Sequence, residues 1–363
     1  MAKPTHRLTY LIDGLNVGGA QVGMARLLQQ LDPERFDITV VGLEGKGNGV
    51  VSLLPDHVTV IDLEIDPKFR LDGLTPLWKL LSKTDILVTS LFHSLVIGTV
   101  LGNLQRVPVI LGWQNSAGYT STLRKKISRN AFKGCDQILA DSEAVASMVR
   151  TEGVSNSNIT VVPIAGVDLE TYISVTEPTR DDGVIRVGSI GQLIPAKNYD
   201  CLIDCAMELD DGIEFHVVGD GPQREDLETR VLEQVPSRVT FHGEIPPDEI
   251  PSFLAGLDIY FQPSRREGLC ITVIEAMACG LPIVGSTAGG ISESVEEGRT
   301  GLLAPADAKD KHCQHLRMLA DNENLRSQFG QAGRERVSSN YSATALEAGF
   351  LDAVSRAIGQ SNT

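Results

Sequence analysis

Two carboxylates eight positions apart, Glu267 and Glu275, stand in SRREGLCITVIEAMACG (264–280). Glu267 follows Arg265 and Arg266 and precedes Gly268, while Glu275 sits among Ile274, Ala276 and Met277, where an apolar helix would bury it. DIYFQPS reads as a strand and CITVIEAMACG as the next helix, which puts Glu267 at a strand's carboxyl end. The backbone N–H groups of Gly268, Leu269 and Cys270, with the helix dipole, would make an anion site there. Gly268 lets a ligand approach the backbone closely. The two oxygens of Glu275 suit a pair of vicinal hydroxyls, whereas an unpaired carboxylate beside Met277 would be costly. A nucleotide ribose with its phosphate nearby meets both demands; a capping glutamate plus a surface glutamate accounts for the spacing equally well.

Such residues need a frame. RLTYLID (7–13), FDITVVGL (36–43), TDILVTS (84–90), RVPVILGW (106–113), DQILADS (136–142) and ITVVPI (159–164) read as strands separated by helical stretches or turns. The polar run 168–184 breaks the pattern and reads as a linker. VIRVGSIG (184–191), EFHVVGD (214–220), RVTFHGE (238–244), DIYFQPS (258–264) and LPIVGS (281–286) then resume it. Alternation of this kind predicts α/β architecture: two Rossmann-like, doubly wound parallel-sheet domains, with ligands beyond the strands' carboxyl ends and a cleft between the halves. The predicted division is 1–172 and 173–342, with a C-terminal helix at about 343–363 crossing back to the first domain.

Composition excludes several classes. A length of 363 residues with 42% apolar residues suits two cored domains. The net charge of −15 argues against nucleic acid as a partner. Six scattered cysteines without a CxxC pair point to a reducing cytoplasm, and Cys201 and Cys205 read as small core residues. His312, Cys313 and His315 read as part of a polar, exposed helix without a fourth ligand, so no metal is expected. The uncharged run 86–105 is long enough to span a bilayer, but its Thr, Ser, His and Asn residues favour a buried strand followed by an amphipathic helix. The N-terminus lacks the apolar core of a signal peptide. Against the acidic background, Arg124, Lys125, Lys126, Arg129 and Lys133 cluster in LRKKISRNAFK; they read either as a solvated helix face or as a contact for anionic lipid or a phosphorylated acceptor.

The ordered series GLNVGGAQVGMARLL, ILADSEAVASMVR, VVPIAGVD, VVGDGPQREDLE, VTFHGEIP, the glutamate block with EAMACGLPIV, and AGGISESV resembles the family-4 retaining glycosyltransferases of the GT-B fold, over nearly the whole chain. The resemblance implies transfer of a hexosyl unit from a UDP- or GDP-sugar to a saccharide, lipid-linked or polysaccharide-precursor acceptor, without a cofactor. It implies that Glu275 holds the ribose, that Glu267, Gly268 and Leu269 meet sugar and phosphate, and that Lys197 in GQLIPAKN binds the diphosphate. By the same resemblance Gly191 lies by the phosphates, Gly243 and Ile245 by the base, and Gly18 and Gly19 in the first-domain loop facing diphosphate and acceptor.

Three positions depart from the family pattern. Gln192 replaces an arginine beside the diphosphate, with Arg265 or Arg266 as possible substitutes; Ala165 replaces an asparagine. Gln114, followed by Asn115, stands where many members carry a histidine, which leaves His93, at the end of TSLFH, as the imaginable imidazole. Two other functions share the fold: a nucleotide-sugar epimerase or hydrolase, and a non-catalytic nucleotide-sugar-binding partner subunit.

Overall fold

In a computed structural model, residues 6–45, 47, 49–65, 73–118, 121–175 and 182–361 are described. The chain divides into two compact units, residues 1–166 with 343–363, and residues 167–342. Each is built on one wholly parallel sheet.

The first unit holds β1 (His6–Ile12), β2 (Phe36–Gly42), β3 (Thr59–Asp62), β4 (Ile86–Ser90), β5 (Val109–Gln114), β6 (Gln137–Ala140) and β7 (Ile159–Val161), ordered β3-β2-β1-β4-β5-β6-β7. β1 is an interior strand, with Leu8 beside Ile38 on one flank and Ile86 on the other. Both faces are covered, so Leu11, Leu87, Ile110 and Ile138 run as near-continuous apolar strands. Helices α1 (Gly19–Gln30), α2 (Leu74–Leu81), α3 (Phe92–Gln105), α4 (Thr122–Phe132) and α5 (Glu143–Thr151) make the crossovers. Ser142 caps α5 by accepting the Val145 N–H at 3.2 Å, and Ser121 does the same for Arg124 on α4. The run 86–105 is β4, a turn at Leu91 with φ of +76°, and α3. No described helix is long and apolar enough to cross a membrane.

The second unit opens with α6 (Leu169–Ile173) and carries β8 (Ile185–Ile190), β9 (Ile213–Val218), β10 (Val239–Gly243), β11 (Ile259–Gln262), β12 (Ile283–Ser286) and β13 (Gly301–Ala304), ordered β10-β9-β8-β11-β12-β13. This is the doubly wound order whose switch point, here between β8 and β11, opens a crevice at the strands' carboxyl ends. Around the sheet lie α7 (Tyr199–Glu208), α8 (Arg224–Gln234), α9 (Ile250–Ala255), α10 (Ile271–Cys279), α11 (Gly290–Ser294), α12 (Lys309–Ala320) and α13 (Glu323–Asn340). The final helix, α14 (Ala343–Ser361), belongs to the first unit, where Phe350 stacks on Trp113 with ring centroids 6.2 Å apart and planes 8° from parallel.

The division falls at 166/167 rather than 172/173. Polar composition made 168–184 look like a linker, yet Asp168 caps α6 through the Glu170 N–H, and Tyr172 is buried in the second unit. Residues 176–181 of that run lie outside the described residues. His312, Cys313 and His315 correct another expectation. They are 0, 0 and 7% exposed, because α12 turns this face inward against β11 and α7. Burial drops the His312 imidazole to a pKa of about 4, while its Nε2 lies 3.1 Å from the Pro305 carbonyl.

Candidate active site

In the second unit, the loops after β8, β11 and β12 converge at the switch point. Gly191 follows β8 with φ of +159°; a Cβ there would lie 3.2 Å from Lys197 Cε, so the missing side chain makes room for the lysine. Lys197 Nζ donates to Glu267 Oε1 at 2.6 Å. The lysine and glutamate side chains are only 19% and 10% exposed. Burial alone would lower the ammonium's pKa, but Glu267 more than offsets it and the net shift is upward. Lys197 is therefore a fixed cation at neutral pH, paired with Glu267.

Glu267 is held from behind by a chain of hydrogen bonds. Tyr260, Gln262 and Ser264 project from one face of β11 and its extension. Tyr260 Oη lies 3.0 Å from Gln262 Oε1, Gln262 Nε2 donates to Ser264 Oγ at 2.9 Å, and Ser264 Oγ donates to Glu267 Oε1 at 2.7 Å. All three are fully buried. Sequence reading missed them, although three polar residues at alternate positions of an otherwise apolar strand were the visible signal. The backbone is equally constrained. Gly289, with φ of +48°, sits where a Cβ would lie 2.1 Å from the Glu267 carbonyl, and Gly290 lies against Gly268 in the same way.

α10 begins one residue later than CITVIEAMACG suggested. Cys270 is its N-cap in the left-handed region, φ +66°, so Gly268, Leu269 and Cys270 precede the helix rather than open it. Leu269 and Cys270 are buried, and burial raises the Cys270 thiol to about 12, leaving it neutral. At the far end Gly280 closes α10 with φ of +83°, and the Arg334 guanidinium donates to the Cys279 carbonyl, where a cation complements the helix dipole. Glu275 lies one turn inside, 5% exposed, and accepts the Tyr172 hydroxyl at 2.9 Å on Oε1. That bond answers how a carboxylate is tolerated beside Met277.

The remaining residues named for this side lie in the same unit. Gln192 is exposed beside Gly191. Arg265 is turned to the neighbouring loop, its Nη1 donating to the Pro195 carbonyl at 3.2 Å, and Arg266 is exposed. Gly243 ends β10 with φ of +75° and accepts the Gly219 N–H at 2.7 Å; Ile245 is half-buried just beyond.

In the first unit, Gly18 precedes α1 and Gly19 opens it, with Gln21 packed where a Gly18 side chain would go. Gln114 ends β5 and donates to the Ser116 carbonyl at 2.8 Å. It lines a cleft of about 270 Å3 together with Asp13, Phe92, Asn115, Ser128 and Arg124, whose guanidinium lies 4.6 Å from the Phe92 ring centroid. His93 is the second residue of α3, not a strand end. Its Nδ1 lies 2.9 Å from Glu44 Oε1 and 3.2 Å from Asp13 Oδ2, while Asp13 also accepts the His93 and Ser94 N–H groups. Among the described residues, Asp13, Glu44 and His93 are a group whose ligand atoms lie close enough together to hold a metal ion. Beneath the cleft, Asp141 accepts from Trp113 Nε1 at 2.7 Å and Asn115 Nδ2 at 3.1 Å, and burial pushes its carboxyl up to about 7. On α4, Lys125 is paired with Glu152 at 3.0 Å, so the basic cluster is partly satisfied within the protein.

Residues 175–336 match the glycosyl transferases group 1, and residues 17–171 match glycosyltransferase family 4. An uncharacterized glycosyltransferase of Methanocaldococcus jannaschii is 29% identical over 246 residues, covering 66% of this chain and 66% of that protein. The GDP-mannose-dependent alpha-(1-6)-phosphatidylinositol monomannoside mannosyltransferase of Mycobacterium tuberculosis is 30% identical over 174 residues, 45% of each chain. The aligned part thus spans less than two thirds of these curated relatives' own lengths. Among solved structures, Anabaena HepE in complex with UDP-glucose superposes with a TM-score of 0.84 at 19% identity, over 96% of this chain and 99% of that one. A likeness at that identity speaks for the fold.

Proposed function

We propose that this chain, which belongs to the GT-B glycosyltransferases of group 1 and family 4, transfers a hexosyl unit from a nucleotide diphosphate sugar to a hydroxyl acceptor with retention at the anomeric carbon. The observation that carries this reading is the Lys197–Glu267 couple, held at 2.6 Å beside Gly191 at the sheet's switch point. A diphosphate arriving there meets a buried ammonium that stays protonated, and Glu267 keeps one oxygen for a sugar hydroxyl. The leaving diphosphate gains charge as the glycosidic bond lengthens, and a preorganised cation in a poorly solvated site stabilises it. Glu275 receives the ribose hydroxyls in this scheme, and the Gly243–Ile245 turn meets the base. The acceptor side is the first-unit cleft, where Gln114 and Asn115 offer hydrogen bonds to hydroxyls and Arg124 offers a cation. A saccharide, lipid-linked saccharide or polysaccharide precursor suits that lining.

The leaving phosphate takes the acceptor proton during same-face attack, which needs neither a protein nucleophile nor a metal. Metal independence has a direct check, because Asp13, Glu44 and His93 supply a place for an ion: transfer that survives EDTA supports it, and transfer restored by added divalent cation overturns it. A panel of UDP- and GDP-sugars, scored first by thermal stabilisation and then by product analysis, identifies the donor. The anomeric proton coupling of the product reads retention. Free sugar or an epimer from donor alone points to the hydrolase or epimerase; no donor binding at all points to a partner subunit. A visit to an anionic membrane surface rests on Lys126 and Arg129 of α4 and on Lys133 at its C-cap, and sedimentation with anionic liposomes that is unchanged in Lys126→Glu/Lys133→Glu ends that part of the reading.

A further inference from the structure

α7 and α12 pack side by side in the second unit, and their contact contains three thiols that the transfer chemistry does not use. Cys205 on α7 and Cys313 on α12 have their Sγ atoms 2.9 Å apart, closer than two sulfurs in ordinary non-bonded contact and longer than a covalent S–S bond of about 2.05 Å. Both are fully buried. Cys201, one turn earlier on α7, also reaches Cys205 and is 5% exposed. The partners come from different helices, and a covalent bond needs their sulfurs to close by less than about 1 Å. A link from Cys201 to Cys205 would instead have to form within a single helical turn.

We propose that Cys205 and Cys313 are a redox-modification site that closes into a reversible disulfide fastening α7 to α12. Burial selects a small, uncharged oxidant, and a hydroperoxide is the chemical class that fits. The Cys313 thiolate attacks one peroxide oxygen; the O–O bond breaks, hydroxide leaves, and Cys313 becomes a sulfenic acid. The Cys205 sulfur then attacks the Cys313 sulfur, the S–O bond breaks, and the Cys205 proton leaves with the departing oxygen as water. Two thiols lose two electrons and one hydrogen peroxide becomes two waters. Cys313 is the first to react: the hydrogen bond it shares with Cys205 holds the Cys313 pKa below its ordinary value and raises that of Cys205.

The link bears on the candidate active site. α7 starts immediately after Lys197 and Asn198, and Asn198 Nδ2 donates to the Pro263 carbonyl at 3.0 Å and the Ala306 carbonyl at 2.9 Å, just ahead of α12. A bridge between the two helices therefore fixes the frame behind the lysine loop. Its proof does not depend on any transferase activity.

The test uses the purified full chain and hydrogen peroxide, followed by alkylation in denaturant and peptide mass spectrometry. The expected result is two fewer alkylated cysteines than the six of the reduced protein, with Cys205 linked to Cys313, and all six recovered after dithiothreitol. Because the bond closes a loop across 108 positions, the oxidised protein should also melt higher, and the gain should vanish on reduction. Cys201→Ser should cross-link as the unaltered chain does, and Cys313→Ser should not. Should either variant fail to fold, mapping in the unaltered chain decides alone. Six alkylated cysteines after a peroxide dose that oxidises an exposed-thiol control, a link made through Cys201, or sulfinic acid at Cys313 without a link would each overturn the proposal.

Discussion

Asp141 is a carboxyl kept by burial at about 7 while both its oxygens accept hydrogen bonds. Its folded pKa lies above the unfolded one, so between about pH 4 and 7 the native state binds the extra proton. Stability from this group is present at low pH and is lost as pH rises through 7. Asp141→Asn should abolish that slope and, from pH 5 to pH 8, gain on the unaltered protein by on the order of 1–3 kcal/mol in urea unfolding. At the candidate active site, Lys197→Ala should lower kcat about 100-fold or more by removing a preorganised cation. Ser264→Ala, which frees Glu267 on one side, should cost roughly tenfold in kcat/KM with the fold intact. Glu267 and Glu275 stood out in the sequence because loop and helix signals surround them, whereas Lys197 was singled out only through the family resemblance. Asp141 and the Tyr260–Gln262–Ser264 chain were not, since hydrogen bonding across strands depends on which residues become neighbours in the folded sheet.

At the scale of elements, glycine packing sets tolerance. Gly289→Ala places a methyl 2.1 Å from the Glu267 carbonyl at a positive φ; the expected loss is about 1–3 kcal/mol in denaturant unfolding, with weaker donor binding by calorimetry as Glu267 shifts. Phe350→Ala removes the ring stacked on Trp113, and about 3–5 kcal/mol of first-unit stability should go with it. Long apolar strands such as β1 and β4 announce themselves through composition. β3 and β13 are four residues each and lie at sheet edges. They are too short to show a period, and only the neighbouring strand defines them. α6 was hidden for a related reason: its five residues look polar, and one buried side chain, Tyr172, ties it to α10.

For the molecule as a whole, the alternation of strands and helices made two parallel sheets readable, whereas the border between units depended on contacts no local pattern carries. The first unit is discontinuous, taking α14 from the far end of the chain. Deleting residues 343–363 should expose Trp113 and the face of α1 that α14 covers, replacing a cooperative first-unit transition with aggregation or early melting by calorimetry. The same discontinuity orders events during synthesis. A ribosome that has finished the first sheet must make residues 167–342 before α14 emerges, and elongation at about 5–20 residues per second stretches that wait to many seconds. The later-made domain can mature while the earlier one still shows a bare flank, so a nascent-chain chaperone would be needed longest by the half that was translated first.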